Sequence, residues 1–159
     1  MLTGSKQISD EQGFTYLALL VFIVIIGILL SVGSQVWVQS AQREKEQELL
    51  FVGDQFRQAI GMYYQHTPGA VKTYPKHLED LLVDTRYPAK QRYLRKLFRD
   101  PLTGQAKWGL VESPDGGVMG VYSLSVLEPI KLSNFRVADQ AFEGSGSYAD
   151  WRFTYIPPK

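Results

Sequence analysis

The sequence predicts an α+β chain: one long N-terminal helix, apolar in its first half and amphipathic in its second, packed on a small antiparallel β-sheet. Three observations carry this. Gln12 to Gln42 contains no charged residue, so all 17 basic and all 16 acidic residues lie outside that window. Leu49, Val52, Phe56, Ile60 and Tyr63 then recur at steps of three and four, which places them on one helical face. Further on, "QAKWGLV" and "VMGVYSLSV" flank "ESPDGG", a β-hairpin pattern with Asp115, Gly116 and Gly117 at the bend.

The apolar run from Phe14 to Val38 is roughly 37 Å long as a helix, more than the roughly 30 Å hydrocarbon core of a bilayer. It shows no apolar periodicity through Leu30, as expected of a helix facing lipid. Membrane insertion is therefore expected. Three fates stay open: a plain anchor, a discarded secretory signal cut at Ser31-Val32-Gly33, or a processing site whose new N-terminus is kept. A secretory signal has a basic start and an apolar stretch of about 7–15 residues. This stretch is longer, and its leader sets Lys6 against Asp10 and Glu11. Lys6 at one end and Arg43 with Lys45 at the other leave orientation by charge open. The short N-terminal tail favours a C-terminal domain on the far side.

No proline occurs before Pro68, so the helix is predicted to continue through "REKEQELLFVGDQFRQAIGMYYQH" to about His66, roughly 80 Å if straight. Glu44, Lys45, Glu46 and Glu48 read as a solvated turn. Gly27, Gly33, Gly53 and Gly61 read as weak points, each costing about 1 kcal/mol relative to Ala. "HTPGAVKTYP" breaks the helix. "PKHLEDLL" predicts a short second helix with Pro75 at its first position and Leu78, Leu81 and Leu82 on one side. Asp84 to Asp100 is basic, with Tyr93, Leu94, Leu97 and Phe98 as an apolar edge. "DPLTG" is a turn, Glu128 to Ser147 is loop-rich, and "DWRFTY" alternates as a final strand.

Composition excludes more than it assigns. The chain has 159 residues, a net charge of +1 and no cysteine, so there is neither a disulfide framework nor a thiol nucleophile. It has no phosphate loop, G-x-S-x-G or H-E-x-x-H, and no serine is paired with a histidine. No enzymatic activity is expected. His66 and His77 are not in a zinc spacing and read as surface or packing residues.

Gly13-Phe14-Thr15, followed by an apolar helix that becomes amphipathic, resembles the class III signal of type IV pilins and type II secretion pseudopilins. The order "YPKHLEDLL", "YLRKLFRDPLTG" and a Trp-bearing hairpin ending in "GVYSLS" is similar to the G-like branch of the pseudopilins, to about Ser125. The resemblance implies a pilin-like fold with a leader at 1–13, a transmembrane or filament-core helix at 14–38, its amphipathic continuation at 39–66 and a periplasmic globular domain at 67–159. It implies cleavage by prepilin peptidase between Gly13 and Phe14, N-methylation of Phe14, and residence in the bacterial inner membrane as a single-pass protein. It also implies partners in other pseudopilins or pilins, the inner-membrane assembly platform and membrane lipid. Nucleic acid is not expected.

The chain departs from that family in three places. The fifth residue after the cut, usually glutamate, is Ala18. That glutamate is thought to pair with a neighbour's N-terminal amine, and family members without it are associated with the filament tip. A minor or tip-type subunit of a type II secretion or related pilus machine is therefore expected. The proline that relatives often carry near Gln35 is missing, and the leader is less basic than usual.

Three further sets of residues are candidates for binding. Trp108, Tyr122 and Trp151 could form a recognition surface but read as core. Arg92, Arg95, Lys96 and Arg99 could meet anionic lipid or phosphate but read as a solvated face; the alternative function is an anchored periplasmic protein or minor pilin binding DNA or a secreted cargo through them. No cofactor is expected. Asp139, Glu143 and Asp150 are the candidate calcium ligands, since G-like pseudopilins use a C-terminal loop for that ion, although dense Asp spacing is missing.

Overall fold

The computed structural model describes residues 11–158, with the side chains of residues 11–13 and 29–36 left out. Helix α1 spans Glu11–Gln65, and the chain divides into two compact units, Met1–Ala41 and Gln42–Lys159.

In the first unit α1 exposes Phe14, Leu17, Val21, Phe22 and Ile25 to the surroundings. Among the described residues no helix is long and apolar enough to cross a membrane. The expected span, 14–38, passes through residues 29–36, whose side chains lie outside the description.

The second unit is α+β. The remainder of α1 packs on a three-stranded antiparallel sheet, β1 (Gly109–Glu112), β2 (Val118–Tyr122) and β3 (Phe153–Thr154), in the order β1-β2-β3. Leu49, Val52, Phe56, Ile60 and Tyr63 are all buried, as their spacing predicts, against Leu81, Leu94, Trp108, Val118, Val121, Tyr148, Trp151 and Phe153. Phe56 meets Trp108 edge-on at 5.2 Å between ring centroids, a favourable aromatic geometry. Trp108 and Trp151 are core, and Tyr122 is half-buried.

The hairpin forms where the sequence places it. Gly116 turns the chain with φ +80°, a backbone region that a side chain strains, and Ser113 accepts its N–H. The register pairs Gly109 with Tyr122 and Val111 with Gly120, then shifts at Glu112. β3 pairs with β2 through Gly120–Thr154 and Val121–Phe153.

Four readings are corrected. Gly53 and Gly61 are contact points for the last strand rather than simple weak points. A Cβ at Gly53 would lie 2.4 Å from the Phe153 ring, and one at Gly61 would lie 2.7 Å from the Tyr155 ring. The second helix is a single 3₁₀ turn, Leu78–Leu81, with His77 as its N-cap; Pro75 precedes it, buried, and its carbonyl accepts from Val118 N–H. Glu46 is buried rather than solvated. Arg86, one of the bases in the basic stretch Asp84 to Asp100, is half-buried and bonded to Asp84 rather than part of the exposed basic surface.

Candidate functional site

The residues singled out by the sequence fall into three separate places. Gly13 and Phe14 lie in the first turn of α1, and Phe14 is 74% exposed. Ala18 stands one turn further on. With Phe14, Leu17, Val21, Phe22 and Ile25 it lines one apolar surface stripe, so no carboxylate occupies that face. Residues 1–10 of the expected leader lie outside the described residues.

The basic segment is the second place. Lys90, Arg92, Arg95, Lys96 and Arg99 are all exposed, while Leu94 is buried and Tyr93, Leu97 and Phe98 pack on the core. Its backbone is irregular yet pinned. Tyr93 and Leu94 N–H both donate to Leu81 O, and Trp108 Nε1 donates to Phe98 O at 2.8 Å. The Arg92 Nε–H reaches Leu82 O.

The two acids that bracket this segment are buried and committed. Asp84 takes a two-point hydrogen bond from Arg86, Nε at 2.8 Å and Nη2 at 2.7 Å, and a third from the Tyr93 hydroxyl. The Arg86 guanidinium lies 3.5 Å from the Tyr63 ring centroid and donates to Thr67 Oγ1 and Tyr63 O. Hydrogen bonding from Arg86 outweighs burial and lowers the Asp84 pKa. Burial, reinforced by the bond to Asp84, pushes the Tyr93 hydroxyl up to about 12. Asp100 accepts from Ser123 Oγ at 2.7 Å and from Leu102 N–H.

The third place holds the calcium candidates, which the fold does not assemble. Asp139 is buried and paired with Arg57 at 2.6 Å and Arg136 at 3.0 Å. Asp150 accepts from the N–H and hydroxyl of Ser147, and Glu143 is exposed. Among the described residues no three His, Asp or Glu side chains form a group that could hold a metal.

Sequence reasoning missed the interior polar anchors. Glu46, on α1, accepts from Ile130 N–H, Lys131 N–H and the Tyr148 hydroxyl, tying the loop after β2 to the helix. The signal was available: Glu46 precedes Leu49 by one helical step and so continues the buried face. Arg57, bridging Asp54 and Asp139, had no such signal, because its partner lies far along the chain.

Compared with known proteins, the chain matches no protein-family model, no curated protein and no solved structure.

Proposed function

We propose that the chain is a non-enzymatic structural subunit of a pilin-type filament, a minor or tip-type subunit in a type II secretion or related machine. Prepilin peptidase cuts it after Gly13 and Phe14 becomes the methylated N-terminus. The single observation that carries the reading is the two-part character of α1. Its stretch before Arg43 is uncharged from Gln12 onward, and its later stretch lays one apolar face on a small sheet. A helix built that way suits lipid or neighbouring helices at one end and a globular domain at the other. Gly13 supports the processing step, because a residue without Cβ lets an enzyme approach the backbone closely. Ala18 supports a minor or tip position, since its face of the helix offers no acid to a neighbour's amine.

The test is the N-terminus of the protein taken from native membranes, read by mass spectrometry. A methylated Phe14, abolished by Gly13→Val, supports the reading. Ser34 as the first residue means a discarded secretory signal, and an intact Met1 means a plain anchor. Either of these two results overturns the filament role.

A further inference from the structure

We infer that the exposed basic segment 90–99 is a docking surface for an acidic segment of a partner protein. Five cations stand on it, Lys90, Arg92, Arg95, Lys96 and Arg99, all exposed. None of them makes an ion pair among the described residues. The acids nearest in sequence cannot answer them: Asp84 is taken by Arg86 and Tyr93, and Asp100 by Ser123 and Leu102. The chain as a whole is almost neutral, at +1, so this concentration of charge is local. The segment does not relax its own repulsion by moving apart, since Tyr93, Leu94 and Phe98 are tied to the domain interior. A fixed array of like charges favours a partner of opposite charge.

The chemistry of the floor chooses among anions. Arg92 and Arg95 flank Tyr93 and Leu94 around a cleft of about 350 Å³. Guanidinium groups take carboxylates in two-point geometry. Leu94 is buried, so the floor is the half-buried Tyr93; its uncovered edge suits the apolar stem of a glutamate side chain, and a phosphate backbone would leave it unused. Tyr93 is half-buried and already faces Tyr63 and His66, so it offers no open ring for stacking a base. No exposed apolar side chain stands among the five cations to enter a bilayer. A second copy of this chain is a poor occupant, because each of its densest acid stretches has a member that is buried and already bonded: Glu46 in 44–48, Asp84 in 79–84 and Asp139 in 139–150.

The experiment uses the full chain in nanodiscs of zwitterionic lipid and a fluorescein-labelled oligoglutamate peptide, with binding read by fluorescence anisotropy. Combined Arg95→Gln, Lys96→Gln and Arg99→Gln is expected to weaken binding about tenfold or more, while Arg43→Gln, Lys45→Gln and Lys76→Gln, of equal charge change, leaves it within about twofold. Arg92→Lys with Arg95→Lys keeps the charge and is expected to lose affinity through the missing two-point contacts. All these side chains are exposed, and an unchanged melting temperature certifies each variant. Equal loss in both neutralised triples would overturn the inference, as would no loss in the first or tighter binding of random-sequence duplex DNA than of the peptide.

Discussion

The Tyr148 hydroxyl donates to Glu46 Oε2 at 2.8 Å, joining the amphipathic stretch of α1 to the 3₁₀ turn Tyr148–Asp150 just before β3. The same carboxylate holds the N–H groups of Ile130 and Lys131. One side chain thus fixes two distant segments against the helix. Glu46→Ala leaves the buried Tyr148 hydroxyl and two half-buried N–H groups unanswered and is expected to cost about 2–3 kcal/mol. Tyr148→Phe is expected to cost about 1 kcal/mol. Urea unfolding of both variants and the double variant should return a non-zero coupling; additive losses would mean the bond contributes nothing.

The glycines at the helix–strand contact give the second expectation. Gly53→Ala and Gly61→Ala should each raise helix propensity by about 1 kcal/mol. Each new methyl would nevertheless overlap an aromatic ring packed on the helix, at a cost of about 1–3 kcal/mol. Net destabilisation is expected, most at Gly53, where the ring belongs to the buried Phe153. Gly27→Ala meets nothing within 4 Å and is expected to raise helix content by circular dichroism. A more stable Gly53→Ala would contradict the close packing.

Acid should weaken the domain partly through Asp84. Its folded pKa lies below the usual 3.8, so its contribution is complete above about pH 4 and is lost as pH falls through the lowered value. At the other end Tyr93 titrates near 12 when folded against 10.0 in its ordinary state. Its contribution is complete below pH 10 and lost between 10 and 12. In Asp84→Asn the acid limb of a stability-against-pH curve should flatten, and in Tyr93→Phe the alkaline limb. Curves that keep both limbs would place the titrating groups elsewhere.

Asp139 answers two guanidinium groups from within the domain. Asp139→Ala removes the nearer of two carboxylate partners from a largely buried Arg57, leaving Asp54 at 3.3 Å, and is expected to cost about 2–3 kcal/mol. Because its oxygens already serve Arg57 and Arg136, added calcium is expected to leave the melting temperature unchanged. A rise of several degrees that depends on Asp139 would show that the ion displaces the arginines.

Much of the fold was legible because its signals are local. The apolar face from Leu49 to Tyr63 and the hairpin around Asp115-Gly116-Gly117 follow from spacing and turn chemistry alone; the final strand was legible in place but not in length, since of "DWRFTY" only Phe153–Thr154 pairs and Asp150 closes a 3₁₀ turn. "PKHLEDLL" was legible as a turn of helix but not in its length; Asp80 accepts from the N–H groups of Lys76 and His77, so the turn starts later than Pro75 suggests. The polar interior was not legible in the same way. Asp84 and Arg86 are two residues apart, but what covers them is Tyr63 on the helix and Thr67 just beyond its end. Pairing across such distances leaves no periodic trace. The exposed basic segment was legible as charge, whereas its rigidity depends on backbone bonds that only the fold reveals.

The notches at Gly53 and Gly61 are filled by rings from residues 153 and 155, so the helix carries an imprint of chain made about a hundred residues later. During synthesis at about 5–20 residues per second, those notches stay open for roughly 5–20 s. Such distant closure also slows folding once the chain is complete. In this domain the helix can complete its packing only after the last strand has been made.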